Sequence, residues 1–253
     1  MNSALIQSNH PENLSRRKSY IPSGSQELFI VPLLQKRIQA AIDEWMKTAP
    51  DHADILDAGC GEQPWRNNLE EYGAAYYSLD VGQNSTNTVH WLTTLDADGL
   101  PPALLAQGPF DFILCTEVLE HVADWENAFA NLAILLKCGG TLLLTCPHFY
   151  PLHEEPHDYW RPTRHAVEFF TQRHGLTIHT YEALGNAWDI IGTLLGASFV
   201  LSAKPTWTSR LAAKTAALFR NALWVLLSTN RLQNLVQLES TLYLSNFWIL
   251  TKK

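Results

Sequence analysis

The chain has 253 residues, enough to bury a substantial core as one domain with an appended subdomain. Its hydrophobic share of 46% and charged share of 17% are those of a globular protein, and its net charge of −7 argues against nucleic acid as a partner. The four cysteines, Cys60, Cys115, Cys138 and Cys146, form no Cys-x-x-Cys pair, and the N-terminus has no apolar leader. Small buried thiols in a reduced cytoplasmic protein are the expectation.

Residues 1–25, with Ser15-Arg16-Arg17-Lys18-Ser19 and Pro22-Ser23-Gly24-Ser25, read as a mobile lead-in, leaving 26–253 as the folded domain. Leu28, Val31, Leu34, Ile38, Ala41, Ile42 and Trp45 then repeat at helical spacing. A buried strand is predicted at 54–57, broken at once by Gly59 and Gly61. That turn carries no side chains where a ligand would approach, and its N–H groups can point at the ligand. Asp57 stands at the strand end, where an unpaired buried carboxylate is costly, so it needs a partner or a ligand. A dinucleotide fingerprint would want a third glycine, but Pro64 occupies that place, and Asp57 would repel a diphosphate. An acid beside a glycine turn suits a positive group, such as an ammonium or a sulfonium.

A helix over 65–72 follows, then a strand, Ala75-Tyr-Tyr-Ser-Leu-Asp80, that ends in an acid about twenty residues after the turn. A βαβ unit places a carboxylate there to accept both ribose hydroxyls. Val89–Leu92 reads as a third strand and Phe110–Cys115 as a central parallel strand. Asp124 can cap a helix running to Leu136, with Cys138-Gly139-Gly140 as its stop, before a fifth strand at 141–146. Strands and helices alternating at this spacing give an α/β, doubly wound, Rossmann-like sheet.

Asp57-Ala58-Gly59-Cys60-Gly61 resembles motif I of the class I S-adenosylmethionine-dependent methyltransferases, although Gln63-Pro64 departs from the commoner third-glycine form. Thr116-Glu-Val-Leu-Glu-His121, the Leu-Lys-Cys-Gly-Gly turn and the next strand are similar to the type-11 group. Pro156-His-Asp-Tyr-Trp-Arg-Pro-Thr163 resembles a subgroup with a Pro-His-Asp-Tyr-x-Arg-x-Thr signature, often associated with bacterial surface-polysaccharide biosynthesis. The resemblance implies a seven-stranded sheet of order 3-2-1-4-5-7-6, with strand six at 176–181 and an antiparallel last strand at 247–250. It implies that Asp57, Gly59 and Gly61 hold the methionine end of S-adenosylmethionine and Asp80 the ribose. Asp96, with Asp98 as the alternative, would meet the adenine, and Thr116 and Glu117 would line the cofactor.

His153-Glu-Glu-Pro-His157 matches His-Glu-x-x-His, a zinc motif that works only on a helix, where i and i+4 share a face. Pro156, with Pro151 and Pro162 nearby, opposes a helix, so no metal is expected. The segment falls where such folds place substrate loops, beyond the carboxyl ends of the strands. A hydroxyl acceptor needs a base, and His153, His157, Asp158 and His121 are the candidates. The competing reading pairs Asp158 with Arg161 and uses the histidines to bind the loop to itself.

A connection over 185–240 forms a helical insertion before the last strand. It has no Asp or Glu from Ile190 to Leu238, yet it carries Lys204, Arg210, Lys214, Arg220 and Arg231. Ile190, Ile191, Leu194, Leu195, Phe199 and Val200 form one apolar face and Leu218, Phe219, Leu223, Trp224 and Leu227 another. Such a pair suits an anionic membrane surface, a lid or a homodimer face. A small-molecule or lipid-linked glycan acceptor, met at the inner membrane face, is the expectation. The other two readings are a non-catalytic membrane-associated scaffold that retains the cofactor fold and a nicotinamide-dependent oxidoreductase.

Overall fold

A computed structural model of the chain describes residues 19–229, 231–236, 238 and 241–253. Helix α1 (Val31–Met46) has Pro32 in its first turn and buries Val31, Leu34, Ile38, Ala41 and Ile42 on one face. Strand β1 (Asp54–Ala58), α2 (Arg66–Glu71), β2 (Ala75–Asp80) and a short β3 (Trp91–Leu92) form the first half of the sheet. Helix α3 (Pro102–Gln107), β4 (Phe110–Thr116), a 3-10 turn (Leu119–His121), α4 (Trp125–Leu135) and β5 (Leu136–Pro147) follow. Then come α5 (Arg164–Arg173), β6 (Leu176–Leu184), α6 (Ala187–Ala197), α7 (Trp207–Ser228), α8 (Arg231–Leu235) and β7 (Ser245–Lys252).

The sheet has seven strands in the order β3-β2-β1-β4-β5-β7-β6, the order that the resemblance implies. Strands β1 to β5 pair in parallel, and β7 runs antiparallel to both β5 and β6. Alternate residues feed two separate cores. Leu56, Ile113, Leu142 and Leu144 pack with α3, α4 and α5, whereas Ile55, Phe112, Leu143 and Phe247 pack with α1, α2 and α6. Parallel strands buried on both faces explain why 110–115 and 141–146 read as unbroken apolar runs. The glycine turn, the end of β2 and the end of β4 therefore lie together at the carboxyl edge of the sheet.

Three expectations are corrected. Cys138-Gly139-Gly140 does not stop the helix. Helix α4 ends at Leu135, Leu136 pairs with Phe110, and Gly139 (φ 76°) kinks the start of β5. The third strand pairs only over Trp91–Leu92. Residues 1–18 of the lead-in lie outside the described residues, but 19–25 are docked on the fold. Tyr20 is buried there, and Ser25 Oγ donates to Gly196 O of α6 at 2.7 Å. A Cβ at Gly196 would sit 2.6 Å from Ser25 O, so the bare helix surface admits the strap.

The insertion forms α6, opened by a capping box between Asn186 and Asp189, together with α7 and α8. Its apolar faces divide differently from the sequence reading. Trp224 turns inward, edge-on to Phe29 at 6.3 Å, and Leu227 is fully buried, while Trp207, Leu211, Leu218 and Val225 make an exposed stripe on α7. Arg220 is not a free cation, because its Nη2 donates to the Leu195 and Gly196 carbonyls at the end of α6. Among the described residues no helix is long and apolar enough to cross a membrane.

Candidate active site

The glycine turn is held by its neighbours. Gly59 has φ 78° and Gly61 φ 52°, and a Cβ on Gly59 would stand 2.3 Å from Val118 Cγ2. Only glycine both takes this conformation and admits Val118. The Gly59 and Cys60 N–H groups donate to Leu79 O at 2.9 and 3.2 Å, and Gly61 N donates to Asp80 Oδ2 at 2.8 Å. The acid at the end of β2 thus orients the turn after β1.

Asp57 is buried and accepts from Tyr76 Oη at 2.6 Å. Burial pushes its carboxyl up to about 7, with the Tyr76 hydrogen bond drawing it down and the charge of Asp80 raising it. A carboxyl in that state is poised to ionise when a cationic group arrives.

Asp57, Gly59, Gly61 and Asp80 line a cavity of about 880 Å³. Asp96, Thr116 and Glu117 also line it, as do His121, His153 and His157. Asp96, whose Oδ2 accepts from Asp124 N at 3.3 Å, is the acid after β3 that faces inward; Asp98 is exposed and off the wall. Thr116 Oγ1 accepts from Tyr20 Oη at 2.9 Å, and Tyr20 packs on Trp65 with ring centroids 4.8 Å apart. Glu117 is held in the left-handed region (φ 55°) by its N–H bond to Thr145 O at 3.2 Å, and its Oε1 accepts from Ser245 Oγ at 3.2 Å.

The segment over 148–163 forms turns and loop, not a helix. Tyr159 N and Trp160 N both donate to Glu120 O, at 2.8 and 3.2 Å, and Trp160 Nε1 donates to Val122 O at 2.9 Å. Asp158 is the candidate that the structure takes out of the site. Its side chain is 1% exposed and off the cavity wall, and it accepts from Arg161 at 2.5 and 2.6 Å and from His153 N at 3.0 Å. Burial would raise its carboxyl, but Arg161 and the His153 N–H outweigh that and hold it below the usual range. Asp158 braces the loop.

His153 and His157 do not form the i, i+4 pair of a zinc helix. His153 packs edge-on to His121, centroids 4.8 Å apart, while His157 Nδ1 lies 3.0 Å from Tyr159 Oη. Burial lowers the basicity of both His121 and His153, so each favours the neutral ring. The sequence reading missed two residues. Glu120, fully buried beneath His121, was legible as the second acid of the Glu-x-x-Glu-His run. Tyr20 carries no local signal, because its role depends on contacts with Trp65 and Thr116 far along the chain.

A family model described as "Methyltransferase domain" matches residues 33–188, which span β1 to β6 and most of the residues that line the cavity. The chain belongs to that methyltransferase domain family. Among its relatives is the ubiquinone biosynthesis O-methyltransferase of Caulobacter vibrioides, 35% identical over 100 residues that span 36% of this chain and 39% of that protein. The protein of the same name from Colwellia psychrerythraea is 31% identical over 101 residues, spanning 36% and 40%. The chain thus spans about two fifths of the length of the curated relatives it matches. Solved structures with the same fold include the [4+2]-cyclase SpnF (TM-score 0.51, 13% identity, 93% of this chain and 99% of that one). Another is a putative sarcosine dimethylglycine methyltransferase from Galdieria sulphuraria (0.50, 14%, 88% and 90%). At these identities the likeness concerns the fold.

S-adenosylmethionine is the cofactor that this fold and family imply, and the residues present fit it. A Cβ at Gly59 would fill the turn, Asp57 is a buried carboxyl suited to a cationic group, and Asp80 lines the same cavity beside the turn.

Proposed function

We propose that this chain is an S-adenosylmethionine-dependent methyltransferase acting on a hydroxyl of a glycan, a lipid-linked or another small biosynthetic intermediate. One observation carries the reading. The acids Asp57, Asp80 and Asp96 and the glycine turn share a single cavity with His121, His153 and His157. When bound, the cofactor would supply a methyl group on a sulfonium, the acceptor oxygen bonding to that carbon as the carbon–sulfur bond breaks and the neutral thioether leaves. The chain's part is to position, to exclude water and to take a proton. Asp57 and the turn hold the charged end, and Asp80 and Asp96 fix the nucleoside. Tyr20, Tyr150 and Leu152 add apolar surface to the cavity wall, and His153 or His157 accepts the hydroxyl proton.

The relatives' names support an oxygen acceptor, and the Pro156–Thr163 segment supports the surface-polysaccharide subgroup. Support for a lipid-linked acceptor comes from the insertion. Phe199, 85% exposed, is a cavity residue that belongs to the same acid-free segment as the exposed α7 residues Trp207, Leu211, Leu218 and Val225. On this reading the stripe rests on the anionic cytoplasmic face of a membrane, with the cavity mouth beside it.

Calorimetry with S-adenosylmethionine and with NAD, followed by methyl transfer from labelled cofactor to a membrane extract, tests the function. Binding of the first ligand alone and a labelled lipid-soluble product are the expected results. Cofactor binding without any labelled product would favour the scaffold, and NAD binding would favour the oxidoreductase.

A further inference from the structure

One buried group beside His121 is not accounted for by cofactor binding. Glu120 is fully buried, and its Oε1 has no hydrogen-bond partner. Its other oxygen accepts from Cys146 Sγ, a weak donor, at 3.6 Å. A buried carboxylate oxygen left unmatched is costly and calls for a ligand.

The neighbouring imidazole is turned to supply one. His121 Nδ1 lies 2.9 Å from His157 O, and a carbonyl can only accept, so Nδ1 carries the ring proton. With the proton on Nδ1, Nε2 is the ring atom left to offer a lone pair. That lone pair faces Glu120 Oε1 at 3.8 Å and Glu154 Oε2 at 3.8 Å. His153 completes the group. Its Nδ1 lies 3.4 Å from Asp158 Oδ2 and 3.5 Å from Arg161 Nη2, an outer ring of polar groups like those that orient metal-binding imidazoles. Three electron-rich atoms, one each from Glu120, His121 and His153, lie within 4.8 Å of one another. Ligands about 2.1 Å from a tetrahedral ion stand about 3.4 Å apart, so shifts of about 1 Å would close the group around a cation.

We propose that Glu120, His121 and His153 form a binding site for a divalent cation of borderline softness, such as zinc, cobalt or manganese, on the acceptor side of the cavity. Two imidazoles and one carboxylate make the mixed nitrogen and oxygen set that such ions take, and three protein ligands leave positions open toward the cavity. His121 and His153 line that cavity, with Glu120 behind them. The ligands come from the turn after β4 and the loop after β5, not from the His-Glu-x-x-His match, so only His153 of that match takes part. Resting on the methyltransferase reading, the ion's task is to hold the acceptor oxygen, which leaves His157 as the group that takes the proton.

The test uses untagged full-length protein stripped with chelator and titrated with Zn²⁺ by calorimetry and Co²⁺ by visible absorption. One equivalent should bind, with a cobalt spectrum of nitrogen and oxygen ligands. Glu120→Gln and His153→Ala should each weaken Zn²⁺ by more than the roughly 10–100-fold that loss of an outer-shell partner costs. S-adenosylmethionine affinity, measured in chelator, should hold in both variants. Should Glu120→Gln not fold, His153→Ala and the wild-type cobalt spectrum decide. No stoichiometric uptake by the wild type, unchanged affinity in the variants, or a thiolate-dominated spectrum that moves the ion to Cys146 would each overturn the proposal. Loss of cofactor binding with the metal titration intact would instead sink the methyltransferase reading and leave the cation site standing.

Discussion

Tyr76 Oη donates to Asp57 Oδ2 at 2.6 Å between the adjacent parallel strands β1 and β2, both residues buried. This bond draws the Asp57 carboxyl down against burial, which still leaves it at about 7. In the ligand-free protein the group is half-protonated near neutrality, and a cationic ligand favours its charged form. S-adenosylmethionine should therefore bind more tightly as pH rises through 7, by up to about tenfold per unit below 7, and level off above. Tyr76→Phe should move that midpoint upward, and Asp57→Asn should flatten the profile. Calorimetry across pH 6 to 8.5 reads all three, and a flat wild-type profile would refute the electrostatic role of Asp57.

Gly59→Ala places a Cβ 2.3 Å from Val118 Cγ2 at φ 78°. Overpacking of about 1–3 kcal/mol plus left-handed strain should lower Tm and weaken cofactor binding more than tenfold. Adding Val118→Ala should restore part of the stability, since the two side chains compete for one space. Additive effects in the double variant would mean that the clash is not the cause.

Asp80→Ala removes the acceptor of the Gly61 N–H as well as the acid facing the cavity. A hydrogen bond to a charged group contributes about 1.5–3 kcal/mol, so the loss should exceed tenfold in cofactor affinity. Asp98→Ala, outside the cavity, should leave affinity unchanged while Asp96→Ala reduces it. Equal effects at 96 and 98 would mean that the adenine end is misplaced.

Arg161→Met leaves the Asp158 side chain, 1% exposed, without its two short bonds. Breaking one side of such a pair costs on the order of 3 kcal/mol, read as a fall in the denaturation midpoint. Turnover should fall with it, because Asp158 also holds the His153 backbone. An Arg161→Met, Asp158→Asn double variant that is no better than the single one would show that the buried charge is not what costs stability.

The exposed stripe of α7 makes its own prediction. Full-length protein should sediment with anionic vesicles at low salt and release at high salt, each nearby cation adding about 1 kcal/mol. Arg210→Gln with Lys214→Gln should release it, with Arg220 left alone because it ties α7 to α6. Protein that stays in the supernatant at low salt would assign the stripe to a lid or a second copy of the chain.

Features set by local chemistry were readable in the sequence. The glycine turn, the acids that end β1 and β2, and the apolar runs of β4 and β5 each carry a short-range signature, while the sheet order came from the resemblance. The resemblance added Asp96, although only the folded loop separates Asp96 from Asp98. What could not be read depends on contacts between distant segments. Tyr20 reaches Thr116, Ser25 reaches Gly196, and Glu120 is enclosed by Tyr159 and Trp160 from the next loop. Gly139 misled because a glycine after a helix also suits a strand kink when Leu136 has a buried place opposite Phe110. Arg220 looked like a membrane cation until the carbonyls at the end of α6 came within its reach.

The position of β7 bears on how the molecule is made. It follows β6 in the chain yet lies between β5 and β6, with Phe247 and Trp248 fully buried. Until the ribosome has passed residue 252, the inner edges of β5 and β6 have no partner, and two strands with open backbone groups face each other across a gap. Such edges recruit other chains, and pairing that waits on distant sequence forms slowly. Emerging chains should therefore depend on being shielded until β7 arrives, and Glu117 receives its hydrogen bond from Ser245 only when that strand docks. One residue of the cavity wall is thus fixed in the same event that closes the sheet.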